Sequence, residues 1–197
     1  MKFQEYLQKM APVVTRYGGA ADRSFQPSAI WAEGMELPQV VNLVHYDSKE
    51  AYRDFNDDPD FKQIEHLRSE STKIVSYEGY LRVANPSMHG LNEREYNIEI
   101  VSYKNGSAVA YSKYELEGEG KMREYGFDVE FILDIESKHL EKKQPNMAKV
   151  SYFNDASCKI NFEKDAAHKY IEALYPSTID SVIWISAKVH QMTNQVT

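Results

Sequence analysis

The chain has 197 residues, long enough for one domain or two small ones with a real core. Hydrophobic residues at 42% and charged residues at 27% are ordinary for a globular fold. A net charge of −7 argues against nucleic-acid or anionic-membrane partners, and the lone Cys158 excludes an intrachain disulfide or a cysteine-cluster metal site.

The N-terminus, MKFQEYLQKM, has no apolar core of signal-peptide length. No run approaches the roughly 20 apolar residues of a membrane span, so a cytoplasmic protein is expected. Phe3, Leu7, Met10, Val14 and Tyr17 recur at helical spacing on one face. Pro12 is a kink or breaker within that helix, and Gly18-Gly19 suits a left-handed cap at its end. Strands are expected at 28–34 and 39–46, and Asp47-Ser48 can cap the helix that follows. Asp58-Pro59 restarts that helix with Pro at its first position. Phe61, Ile64 and Leu67 supply its buried stripe, and a strand over 73–83 closes the set.

The same grammar then returns. Phe55, Asp58, Lys62, Ile64, Glu65 and Leu67 reappear as Phe162, Asp165, Lys169, Ile171, Glu172 and Leu174. The match runs without a gap from Pro38 (opposite Pro145) to Val75 (opposite Val182), and Tyr77 falls opposite Trp184. With a one-residue indel upstream, Phe3, Tyr6, Val14, Tyr17 and Gly18 fall opposite Tyr111, Tyr114, Met122, Tyr125 and Gly126. So many matched features in order predict a tandem duplication.

The second half adds a clear strand at 95–104 before its helix, giving βαββαβ, the ferredoxin-like arrangement. The expected fold class is therefore α+β: two tandem ferredoxin-like units, residues 1–85 and 95–190, with a linker at 86–94 and a tail at 191–197. Their sheets would shelter each other as an internal pseudo-dimer, in a monomer or a homodimer. The first strand of the first unit would lie before Met1, so it is missing or supplied from elsewhere. The tail after Lys188, a second chain or a modified pairing order could each repair the loss, and a rearranged or swapped element is expected.

Tyr17-Gly18-Gly19, Glu33-Gly34, the DPDF of residues 58–61 and the closing Glu78-Gly79 carry a family likeness. Over residues 3 to about 82 the chain resembles the small bacterial proteins grouped as domain of unknown function 1330, in the dimeric α/β-barrel superfamily. The second half resembles them more weakly, through Tyr125-Gly126, the run from Asp165 to Pro176 and VIWIS. The resemblance implies paired ferredoxin-like sheets. It also implies a superfamily containing cofactor-free oxygenases, haem-degrading and isomerising enzymes, and members without known reaction, so it speaks to fold more than chemistry.

Six residues are candidates for a site. His45 shares a strand face with Val41 and Leu43 and is either a general base or a core histidine bonded to backbone or tyrosine. Glu33, beside Trp31, is either an acid or base of raised pKa or an exposed acid in a strand-ending turn. Arg68 either anchors a carboxylate ligand or sits at a rim, and Tyr77 and Trp184 are aromatic wall or core. His168, opposite Phe61, is read as half-buried packing. Asp128, Glu130 and Asp134 are read as a solvated sheet edge in preference to a hard-cation site. No dinucleotide, Walker, nucleophile-elbow or Cys-x-x-Cys motif occurs.

The expected function is binding or transforming a small, partly apolar or aromatic molecule by proton transfer or cofactor-free oxygenation. His45 or Glu33 would be catalytic, and Trp31, Arg68, Tyr77 and Trp184 would line the site, with no metal and no cofactor. The alternative is a non-catalytic structural or sensing module assembled through its sheets.

Overall fold

The computed structural model describes residues 2–32, 34–73, 75–104, 106–136, 145–166, 168–170, 172–173 and 179–189. In chain order the elements are α1 (Lys2–Arg16), β1 (Ala20–Trp31), β2 (Val41–His45), α2 (Lys49–Asp57), α3 (Pro59–Ser71) and β3 (Gly79–Ala84). They continue with β4 (Glu95–Tyr103), α4 (Ala108–Arg123), β5 (Phe127–Ile135), β6 (Met147–Phe153), α5 (Ala156–Lys164) and β7 (Ile179–Val189). The α+β class is as expected, and no helix among the described residues is long and apolar enough to cross a membrane.

Two compact units form. One comprises Met1–Ser24 with Asn42–Ser76, the other Phe25–Val41 with Tyr77–Thr197. In the first, α1 and α3 enclose Tyr6, Val13, Val14, Phe55, Phe61, Ile64 and Leu67, with Phe3, Met10, Tyr17, Tyr46 and Tyr52 packed around them. Of the expected stripe on α1, Phe3, Met10, Val14 and Tyr17 pack here and Leu7 does not. Tyr6 and Val13 are buried while Leu7 is 38% exposed, because the packed face follows Phe3, Tyr6, Met10, Val13, Val14 and Tyr17. Pro12 lies inside α1, which continues to Arg16.

The second unit is built on β4, β5, β6 and β7. The pairing order β7-β4-β6-β5, with α4 and α5 in the connections, is the complete ferredoxin-like βαββαβ pattern. Both outer strands of this set carry a further partner. The Phe25–Trp31 stretch of β1 pairs antiparallel with β7, and β3 pairs antiparallel with β5. The full order is β2-β1-β7-β4-β6-β5-β3, without an eighth strand among the described residues.

This order answers the missing-strand problem by modified pairing. The second and last strands of the first half, β1 and β3, lie on the last and second strands of the other. Even the register is shared to within one residue: Pro27 pairs with Ala187, and Ile135, the counterpart of Pro27, pairs with Gly79.

The two halves also repeat fine detail. Ser48 accepts from the Ala51 N–H at 3.0 Å and Asp155 accepts from the Cys158 N–H at 2.8 Å, each as an N-cap. The N–H groups of Asp58 and Asp165 close those helices by donating to Phe55 O and Phe162 O at 3.2 and 2.9 Å. Tyr17 donates its hydroxyl to Asp58 Oδ2 at 2.9 Å, and Tyr125 does the same to Asp165 Oδ2 at 2.6 Å. Gly18 and Gly126 take φ of 68° and 73° after their helices. A Cβ on either would meet the side chain of Asp47 or its counterpart Asn154, at 2.4 or 2.7 Å. Only glycine suits that conformation and that approach.

Candidate functional site

The helix-covered face of the second unit holds a cavity of about 280 Å³. Its position follows from the strand register, because residues paired across a sheet share a face. At one level Trp31, Trp184, Glu99, Lys149 and Ile132 stand in a row. At the next level the row is Ala29, Ser186, Asn97, Ser151 and Val129. The second row is mostly small or polar, which leaves space where large side chains would meet α5.

Apolar walls come from Met122, Phe127, Phe153, Phe162, Val182 and Trp184. Asn97, Glu99 and Lys149 are buried beneath them, whereas Glu163 and Glu172 are exposed and Lys159 and His168 half-buried.

Lys149 is 2% exposed and stands among three carboxylates: Glu99 at 3.4 Å, Glu119 at 3.5 Å and Glu115 at 3.8 Å. A buried ammonium is tolerable only with such pairing. Burial pushes the Glu115 carboxyl above its usual range, Glu119 and Glu99 add to that rise, and Lys149 and Arg82 oppose it. Asn97 is 3% exposed, and its Oδ1 has no hydrogen-bond partner among the described residues. Lys159 Nζ lies 3.3 Å from Ser186 Oγ. The His168 ring meets Phe162 edge-on with centroids 5.2 Å apart, and its Nδ1 is 3.8 Å from Glu172 Oε2.

The corresponding place in the first half is filled. Phe61, opposite His168, packs tilted on Phe55 with ring centres 4.3 Å apart, and Tyr52, opposite Lys159, packs tilted on Tyr46 at 5.1 Å. At these two positions the first half carries packed aromatic rings and the second half an imidazole and a flexible ammonium that line the cavity.

Of the residues singled out from sequence, Trp184 lines this cavity. Trp31 pairs with it on the same face and is 58% exposed. Tyr77 is half-buried, and burial raises its hydroxyl pKa. His45 is exposed, against the expected buried sheet face. Its strand β2 is an edge in the pairing order, and its Nδ1 meets Asp22 Oδ1 at 2.9 Å. Arg68 has its guanidinium 5.9 Å from the Phe61 ring centre and Nη2 3.3 Å from Glu65 Oε1. Neither His45 nor Arg68 lines the cavity. Glu33 lies outside the described residues.

Asp134 is exposed, but its strand β5 is paired on both sides and is no sheet edge, and Glu130 is fully buried beside a strand irregularity in β5. Its surroundings explain the difference. Buried Arg94 donates to the Tyr96 hydroxyl at 3.2 Å and lies 3.7 Å over the Tyr152 ring. Burial raises the Tyr96 hydroxyl, Arg94 opposes the rise, and the Glu130 charge adds to it, so these groups form one buried polar cluster.

The buried polar cavity residues escaped sequence reading, although a signal existed. In MAKVSYF, alternation puts Lys149 on the same face as Met147 and Phe153, so a charge sits on the strand's buried side.

No family model and no curated protein matches the sequence. Three solved structures share the chain's fold. A "putative monooxygenase" from Fusobacterium nucleatum is 8% identical, with 94% of this chain and 85% of that one covered at a TM-score of 0.59. A second "putative monooxygenase", from Lactobacillus acidophilus, is 10% identical over 94% and 86% at 0.51. An "anthrone oxidase-like protein" is 9% identical over 93% and 86% at 0.62. At such identities the likeness is one of architecture, and the chain has the α+β fold of those proteins along nearly its whole length.

Proposed function

We propose that this chain binds a small, partly apolar or aromatic molecule in the cavity of its second unit and transforms it by proton transfer or cofactor-free oxygenation. The observation that carries the reading is the cavity itself: apolar walls over a few buried polar groups, at a place where the first half carries the packed rings of Tyr52 and Phe61. The fold shared with proteins named as monooxygenases supports the same reading.

His168 is the proton acceptor of this proposal, because an imidazole is the side chain suited to that task near neutrality. Phe162 fixes its ring, and Glu172 is placed to stabilise an imidazolium. Taking a proton from a phenol or enol leaves an electron-rich anion, the form that can react with dioxygen directly. The proposal includes the origin of the chain as a duplicated domain of unknown function 1330, on the repeated caps and tyrosine–aspartate bonds.

The test is a thermal-shift screen of phenols, small acids and quinones, followed by oxygen-uptake and proton-release assays on the stabilising compounds. Binding only the native state raises its melting temperature. His168→Ala is expected to keep the stabilisation and to lose turnover by about 10²-fold or more. If no compound stabilises the wild type, the reading fails.

A further inference from the structure

We infer that the ligand of this cavity is an aromatic hydroxy acid, its hydroxyl donating to Asn97 Oδ1 and its carboxylate accepting from Lys159 Nζ. The inference rests on the cavity being a binding site and goes further by fixing which functional groups the ligand carries.

Asn97 supplies the first half of the argument. It is 3% exposed, lines the cavity, and leaves Oδ1 without a partner among the described residues. An unpaired buried carbonyl costs about 1–3 kcal/mol, so such groups are rare unless something else satisfies them. A carbonyl oxygen only accepts, so the missing group is a donor. A neutral hydroxyl suits a site whose walls are mostly apolar.

Lys159 supplies the second half. The cavity holds two ammonium groups in different situations. Lys149 already has Glu99, Glu115 and Glu119 around it. Lys159 Nζ has the neutral Ser186 hydroxyl at 3.3 Å and no carboxylate within ion-pair distance among the described residues. A half-buried cation bonded to a neutral hydroxyl is poised for an anion. Glu163 and Glu172 at the rim would repel a second negative charge, so the ligand binds as a monoanion whose Asn97-held hydroxyl keeps its proton and is distinct from the acidic position that His168 deprotonates.

The two anchors are neighbours. Ser186 is the strand partner of Asn97 and the hydrogen-bond partner of Lys159, so both groups flank one residue. Hydroxyl and carboxylate substituents on one ring system suit two anchors that flank one residue, and a meta arrangement keeps the hydroxyl proton from closing onto its own carboxylate. The ring itself would lie against Phe153, Phe162 and Trp184.

The experiment measures dissociation constants of the full chain for 4-hydroxy-2-naphthoate, 2-naphthoate, 1-naphthol and naphthalene, by calorimetry at fixed pH and salt. The hydroxy acid is expected to bind about tenfold or more tighter than either singly substituted compound. Lys159→Met should abolish its advantage over 1-naphthol. Asn97→Ala should abolish its advantage over 2-naphthoate while leaving 2-naphthoate binding unchanged. Should Asn97→Ala fail to fold, the wild-type series and Lys159→Met decide the matter. Equal affinity for all four compounds overturns the ligand class and leaves the cavity as a general apolar site. No binding by any of them overturns both readings.

Discussion

Asp58 performs two jobs with one carboxylate. Its Oδ1 caps α3 through the Asp60 and Phe61 N–H groups, and its Oδ2 takes the Tyr17 hydroxyl and Arg16. Burial by itself raises this carboxyl, but the tyrosine, the two backbone donors and the arginine outweigh it, so the pKa lies below the ordinary value. A depressed folded-state pKa gives stability that is present above the unfolded value and is lost as pH falls through the folded one. Asp58→Asn should therefore lower the melting temperature at neutral pH, with the deficit shrinking below about pH 4. A deficit that stays constant in melting curves from pH 7 to pH 2 would refute this account. Asp58 was legible in the sequence, because Asp-Pro before a helix has few other uses. Asn97 and Lys149 were not, because one polar letter in a strand does not reveal its partners. Trp184 was legible only as one aromatic residue among many.

Elements were read well where the chain alternates cleanly and poorly where it does not. Strand β6 occupies MAKVSYF, and β5 starts at Phe127, the first of the alternating apolar residues Phe127, Val129, Phe131, Leu133 and Ile135. Strand β1 begins at Ala20, well before the expected 28–34, because its first part is polar and carries Pro27. That proline sits at a register irregularity, where the absent N–H leaves a ladder bond less to lose. Helix α4 makes the opposite point. Gly120, opposite Pro12 in the repeat, is a residue type that breaks or kinks helices, yet α4 runs on to Arg123. Nothing lies within 4 Å of where its Cβ would be. The glycine therefore costs helix stability without serving a close approach, and Gly120→Ala should stabilise the protein by about 0.5–1 kcal/mol. Urea titration with an unchanged m-value would establish the gain. A loss of stability would mean that this glycine has a role in the helix that its empty surroundings do not reveal.

At the scale of the whole chain, the repeat predicted the succession of elements, whereas the pairing order had to be seen. Self-similarity says which strands correspond. It does not say that β1 and β3 would each seek the opposite edge strand of the second half. The repeat is most informative where it fails. The two halves keep the same caps, glycine turns and tyrosine–aspartate bonds, and so keep the same frame. Among the positions where they differ are Phe61/His168 and Tyr52/Lys159, where the first half carries packed rings and the second lines a cavity. A frame that tolerates either filling predicts that the first solution can be transplanted. The double variant His168→Phe, Lys159→Tyr should recover buried apolar area worth about 1–2 kcal/mol, a rise of roughly 2–8 °C in melting temperature. It should also lose the thermal shift that any cavity ligand produces in the wild type. A variant that melts lower while still binding such ligands would show that these two exchanges do not make the cavity.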